Sequence, residues 1–184
     1  GDLDLFTANG HVQIGIEHTQ DGIYYRQASH LFINDGEGHF IDITPSIGGP
    51  LATPIVGRGA SYADFDKNGT LDILVTENGG PVHLYRNEFK VNNYVRINVK
   101  SISSNRDGLS TKLVAVTKNK RMERIIKSGS SFMSQSEKTA TFGLGYENTI
   151  DSLFVYWPNG LKELYQNIRS NQEITILELS GIIR

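Results

Sequence analysis

Residues 63 to 73, ADFDKNGTLDI, set oxygen-bearing side chains at alternate positions: Asp64, Asp66, Asn68, Thr70 and Asp72, with Gly69 among them. Carboxylates crowded this closely repel one another. Lys67 is the one cation in the stretch, and on an alternating chain it points away from the rest. The pattern therefore asks for positive charge from elsewhere. Calcium supplies it, as a hard cation that takes about six to eight oxygens from carboxylates, amide and backbone carbonyls and water. Numbering Asp64 as position 1 puts Asp64, Asp66, Asn68, the backbone carbonyl of Thr70 and Asp72 at alternate ligand positions, with Gly69 relieving the turn. An EF-hand is excluded, because its bidentate Glu would fall on Val75 and the flank LDILVT has the β-branched pattern of a strand. What remains is a calcium loop between strands, closed by Asp72. A polar turn holding no ion is the alternative that spacing alone leaves open.

The elements around this loop read as short strands. LDLFTA, HLFIND, GHFIDIT, LDILVTE and PVHLYRN are apolar or alternating runs separated by NDGEG, GGP and NGGP, and no helix is needed to connect them. The chain also repeats itself. GDLDLFTANG from Gly1 aligns with GTLDILVTENG from Gly69, an offset of 68, and LFIN from Leu31 aligns with LYRN from Leu84, an offset of 53. The first copy thus carries about 15 extra residues, placed in a long loop within HVQIGIEHTQDGIYYRQ. On this alignment Gly1 matches the sixth position of a calcium loop, and the chain is expected to be one piece of a longer polypeptide. Repeating short strands with acidic turns fit β-propeller blades, each covering its neighbour's apolar face.

At 184 residues and 38% hydrophobic content the chain can bury a core. No run is apolar enough to span a bilayer, so no membrane span is expected. The absence of cysteine excludes disulfides, thiolate metal sites and cysteine nucleophiles. Residues 1–89 hold 4 Lys+Arg against 12 Asp+Glu, a balance of −8, whereas residues 90–184 hold 14 against 8, a balance of +6. Two differently built halves follow, divided at residues 90 and 91. Much of the basic excess lies in TKNKRMERIIK, Thr117 to Lys127, read as a solvated hairpin rim or as a contact for phosphate, sulfate or uronate. Without an aromatic stacking series beside it, nucleic acid is not an expected partner.

RGASYADFDKNGTLDILVTENGGPVHLYRN, preceded by LFINDGEGHFIDITP, resembles the FG-GAP or VCBS type of calcium-binding propeller repeat. NNYVRINVKSISSNRDGLSTKLVAV, IKSGSSFMSQSEKTATFGLG and IDSLFVYWPNGLKELYQNI resemble the ASPIC/UnbV domain, the C-terminal module of cartilage-acidic-protein-like proteins. The resemblance implies an all-β chain, the last propeller blades followed by a small β-sandwich. It implies calcium ligands at Asp64, Asp66, Asn68, Thr70 and Asp72, with Asp4 and the carbonyl of Asp2 as half of a second site. It also implies export to the cell surface or medium, where sites of about 10⁻⁴ to 10⁻³ M are filled.

In the second half, SLFVYW and LKELYQ flank Asn159-Gly160, read as a two-residue hairpin turn with both residues at positive φ. Leu153, Val155 and Trp157 then share one face, and Phe154 and Tyr156 the other. Trp157 reads as core, or as a face for stacking sugars. Arg106 and Asp107 read as an ion pair bracing a loop, and the serines from Ser128 to Ser136 as a hydroxyl-rich strand edge. His30 and His39 flank a hairpin and are placed to approach each other. No catalytic constellation emerges. The expected function is a non-enzymatic, calcium-binding adhesion or interaction module that meets an extracellular protein or glycan and packs on upstream blades of its own polypeptide or of a neighbouring subunit. The alternatives are the scaffold of a secreted polysaccharide-active enzyme and a self-assembling surface filament.

Overall fold

The computed structural model describes residues 2–89 and 92–183. The first half forms two three-stranded antiparallel sheets. One orders β1 (Leu5–Thr7), β2 (His30–Asn34) and β3 (Phe40–Asp42), the other β4 (Gly57–Ala63), β5 (Asp72–Glu77) and β6 (Val82–Tyr85). The internal repeat survives in their register. Leu5 lies opposite Phe32 as Ile73 lies opposite Tyr85, and Phe6 opposite Leu31 as Leu74 opposite Leu84. His30 stacks on Phe32 with ring centroids 5.9 Å apart, and His83 on Tyr85 at 6.2 Å. The Asn34 and Asn87 amides donate to the Asp4 and Asp72 carboxylates at 3.0 and 2.8 Å. The two sheets are therefore copies of one supersecondary unit, in keeping with blades of a propeller.

Strand β4 carries no strand signal, since GRGASYA lacks branched apolar residues. Its small side chains admit other backbones instead. A Cβ on Gly57 would stand 2.8 Å from the Asn9 carbonyl oxygen, and one on Gly59 would stand 2.5 Å from that of Phe132. Two single-turn helices, α1 (Thr44–Ile47) and α2 (Gly49–Ala52), correct the helix-free expectation. Pro45 and Pro50 sit in their first turns, where a missing N–H leaves no intrahelical bond unmade, and Leu51 is buried beneath. Among the described residues no helix is long and apolar enough to cross a membrane.

The second half is a sandwich of two four-stranded sheets built from β7 (Asn93–Lys100), β8 (Lys112–Val116), β9 (Arg121–Ile125), β10 (Ala140–Gly145), β11 (Thr149–Tyr156), β12 (Lys162–Arg169), β13 (Gln172–Leu177) and β14 (Gly181–Ile183). The sheets run β10-β7-β13-β14 and β12-β11-β8-β9. Val95, Ile97 and Val99 from one meet Leu113, Leu153, Val155 and Trp157 from the other in the main apolar core. Phe154 and Tyr156 take the outer face, as the alternation predicts. Trp157 is 3% exposed, so its ring belongs to the core, and its Nε1 donates to Glu163 at 2.5 Å. The turn after it differs from expectation. Among Pro158, Asn159 and Gly160 only Gly160 has positive φ, and the Gly160 amide donates to the Trp157 carbonyl at 3.0 Å. Pro158 fixes the first central φ near the type I value, so the loop is three residues long and ends in a left-handed glycine.

That turn helps to close a buried carboxylate site. Glu178 is fully buried and accepts from the Ser101 hydroxyl at 2.5 Å, the Ile102 and Ser103 amides at 2.7 and 2.9 Å, the Ser103 hydroxyl at 2.7 Å and the Asn159 side-chain amide at 2.6 Å. The Ser101 bond, followed by those from Ser103, holds its carboxyl down at about 2. A depressed carboxyl stabilises the fold above its unfolded value of 4.5 and loses that contribution as pH falls toward 2. Urea midpoints measured from pH 5 to pH 2 should therefore fall steeply for the native chain and less steeply for Glu178→Gln, which should be the weaker protein at pH 5.

Candidate metal centre

The acidic loop joins β4 to β5, and its backbone amides aim at its own carboxylates. Asp64 Oδ1 accepts from the Asn68 amide at 3.0 Å and Oδ2 from the Gly69 amide at 2.9 Å. Asp66 accepts from Asn68 N at 3.3 Å, and Asn68 Oδ1 from Thr70 N at 2.8 Å and the Thr70 hydroxyl at 2.5 Å. Asp72 accepts from Phe65 N at 3.1 Å and from Asn87 N. Gly69 has φ 92°, and a Cβ there would lie 2.2 Å from the Tyr94 ring, so both the turn and its neighbour demand glycine. One carboxylate oxygen each from Asp64, Asp66 and Asp72 lie within 4.8 Å of one another. Oxygens around one calcium ion stand at most about 5 Å apart, given bonds of roughly 2.3 to 2.6 Å. The donor set fits a calcium ion. Asp64 and Asp72 are buried while Asp66 is exposed, which leaves one open side. Val75 is fully buried in β5 and stands apart as core.

The fold also supplies cations that the local sequence does not show. Arg86 reaches Asp66 at 3.1 Å at the surface. Arg96, from β7 of the sandwich, reaches Asp64 at 3.2 Å, with 5% of its own side chain and none of the aspartate's exposed. The same guanidinium bonds Glu137 through two nitrogens at 3.0 and 2.9 Å and Glu173 at 2.9 Å. Sheet register sets this row, because Arg96 lies opposite Thr141 on β10 and beside Glu173 on β13. Burial acts to lower the Arg96 value but is outweighed by the bonds to Glu137 and Glu173, which raise it above the ordinary guanidinium range. Five carboxylates thus face two guanidiniums, and the cluster keeps three formal negative charges, enough for a divalent ion. YVRINVK alternates correctly, yet nothing in it indicates that the polar face carrying Arg96 is buried.

The half-site at the N-terminus is arranged differently. Asp4 accepts from Asn34 N, and Asp2 pairs with Lys120 of the β8–β9 hairpin at 3.0 Å, a bond that holds the Asp2 carboxyl below its ordinary value. Neither joins a cluster of three metal-ligating groups among the described residues. A cluster missed in the sequence, Asp35, Glu37 and His39, lies on the exposed β2–β3 turn. His39 pairs there with Asp35 at 2.8 Å, whereas His30 pairs with Asp42 at 2.7 Å, so the two histidines do not meet. Asp107 pairs with Lys138 at 2.5 Å in place of the expected Arg106. The serine run does lie along a strand edge, that of β4 in the other half. Ser131 and Ser136 accept from the Ala60 and Tyr62 amides at 3.0 and 3.1 Å, Ser134 donates to the Ala60 carbonyl at 2.8 Å, and the Glu137 amide donates to the Tyr62 carbonyl at 3.0 Å.

Residues 1–75 match the family described as FG-GAP-like repeat, and residues 101–182 match ASPIC and UnbV. The chain joins an FG-GAP-like repeat to an ASPIC and UnbV domain. Cartilage acidic protein 1 of Homo sapiens is 31% identical over 128 residues and that of Mus musculus 30% over 128. The Xenopus tropicalis protein of that name is 27% identical over 129 residues. Each alignment takes in 67% of this chain, which spans about a fifth of the length of these curated relatives, 19%, 19% and 20%. The acidic loop falls within the FG-GAP-like repeat and Glu137 and Glu173 within the ASPIC and UnbV domain, while Arg96 lies between the two matched stretches.

Removing one partner of a buried ion pair leaves the others uncompensated, at a cost of about 3–5 kcal/mol. Arg96→Met should therefore lower unfolding free energy by roughly that amount. Arg86→Met, at an exposed pair, should cost less than about 1 kcal/mol. Urea denaturation of the two variants checks both figures.

Proposed function

We propose that the chain is a non-enzymatic interaction module that binds calcium in the β4–β5 loop and works outside the cytoplasm, on an extracellular protein or glycan. The observation that carries the reading is the convergence of Asp64, Asp66 and Asp72 oxygens within 4.8 Å on a loop already shaped by its own amides. Asp64, Asp66 and Asp72 would hold the ion, with the Asn68 side-chain oxygen and the Thr70 carbonyl beside them. Calcium bound there would offset their repulsion and tie β4 to β5. The chain's residues do the rest: amides of Phe65, Asn68, Gly69 and Asn87 orient the carboxylates, and Tyr94 covers the turn.

The extracellular setting is supported by kinship with cartilage acidic protein 1 and by the weak affinity expected of a loop with only three carboxylates. Two surfaces support the partner classes. On the β4–β6 sheet, Leu74 lies opposite Leu84 and Thr76 opposite Val82, and Val82 and Leu84 are 62% and 56% exposed. That face suits a further blade from the same polypeptide or a neighbouring subunit. On the outer face of the sandwich, partly buried Phe154 and Tyr156, with Lys162 5.7 Å from the tyrosine ring, form the aromatic surface for a glycan that buried Trp157 does not provide.

Scanning calorimetry in CaCl2 and in EGTA tests the calcium site. Calcium should raise the melting temperature, with a gain near 2.7 kcal/mol when free calcium is about a hundred-fold above Kd. Asp64→Ala and Asp66→Ala should lose the shift and Lys67→Ala should keep it. A native chain that melts identically in both buffers overturns the reading.

A further inference from the structure

We propose that occupancy of the acidic loop and seating of the β-sandwich against strand β4 form one linked equilibrium, with Arg96 as the positioning residue that joins them. The inference rests on the calcium reading and adds to it a reciprocal dependence: the ion tightens the joint between the two halves, and the joint tightens the ion.

Besides the Asp2–Lys120 pair, three sets of contacts join the halves around β4 and its loop. Arg96 binds the Asp64 carboxylate, whose other bonds come from the loop's own amides, and the Asp64 amide donates to Glu137 at 3.4 Å. The Tyr94 ring, carried by β7, packs directly over Gly69 and confines the turn. Farther from the loop, Ser131, Ser134 and Ser136 replace a missing neighbour strand on β4, and the Glu137 amide continues that edge at Tyr62. Strand β4 therefore has the acidic loop at one end and the serine edge along its side.

The sign of the coupling follows from charge and order. Arg96 alone would repel a cation. The sandwich, however, brings Glu137 and Glu173 with it, both bonded to that guanidinium, so seating adds one net negative charge to the loop's surroundings. Seating also fixes the Asp64 carboxylate and the Gly69 turn, and a loop ordered beforehand gives up less conformational freedom when it takes an ion. Both effects favour binding, and linkage makes the benefit mutual.

The test pairs residue-resolved amide exchange with calcium titration on the full chain. Calcium should slow exchange at the Ala60, Tyr62 and Glu137 amides roughly ten-fold and leave Ile97 and Val155, deep in the sandwich, unchanged. Ser131→Ala combined with Ser134→Ala should weaken calcium roughly five-fold or more, although neither serine touches an acidic side chain of the loop. Calcium that binds normally while those amides stay unprotected overturns the linkage and spares the site, as does an unchanged Kd in the folded double variant. If that variant does not fold, exchange in the native chain decides. Failure of the native chain to bind calcium in the titration overturns the site itself, and the linkage with it.

Discussion

A buried guanidinium shared by three carboxylates from different parts of the chain is the constraint on which the arrangement turns. Arg96 stands among Asp64, Glu137 and Glu173 with only 5% of its side chain exposed. Taking such a group out of water is costly unless its donors are all met, and here the fork is met on every side. The geometry leaves little freedom. Asp64 must come from a loop at the end of β4, Glu173 from the strand beside Arg96, and Glu137 from the segment that leads away from the serine edge. Glu137 and Glu173 reach Arg96 from within the sandwich, so Asp64 is the one partner that depends on how the halves pack.

The two halves differ in how they are held. The sandwich has a continuous apolar core, in which Ile97, Leu113, Phe142, Leu153 and Val155 are fully buried. The blades bury far less, chiefly Ile16, Leu51, Ile55, Val56 and Val75, and leave apolar faces open. Polar devices carry more of the load there: asparagines that tie strand ends to aspartates, backbones meeting at Gly10 and Gly57, and the loop whose carboxylates need a counter-charge. A small sheet with a thin core gains most from anything that cross-links it.

The repeat was legible in the sequence, because the matches at offsets of 68 and 53 assign each strand its copy, whereas the register shared by the two sheets came only from the structure. The inward face of β11 was legible too, since Leu153, Val155 and Trp157 alternate without interruption. Strand β4 was not, as its glycines and alanines serve close backbone approach, a requirement set by Asn9 and Phe132 far along the chain. The acidic loop was legible as a set of ligands but not as a balanced site. Local reading found no cation for Asp64 because Arg96 lies beyond β5 and β6, on a strand whose alternation marks that side as solvent-facing. Asp107 taught the same lesson in miniature: its neighbour Arg106 was the obvious partner, and Lys138 is the actual one. Sequence spacing identifies groups that share an element, whereas the pairing of groups from separate sheets is fixed by how the sheets pack.

A crystal structure of the chain grown in millimolar calcium, with anomalous data collected to locate the ion, tests the central claim most directly. The account predicts a peak bounded by the carboxylates of Asp64, Asp66 and Asp72, with Asp64 still bonded to Arg96. A loop without a peak, or an Asp64 side chain turned away from Arg96 toward solvent, would contradict it.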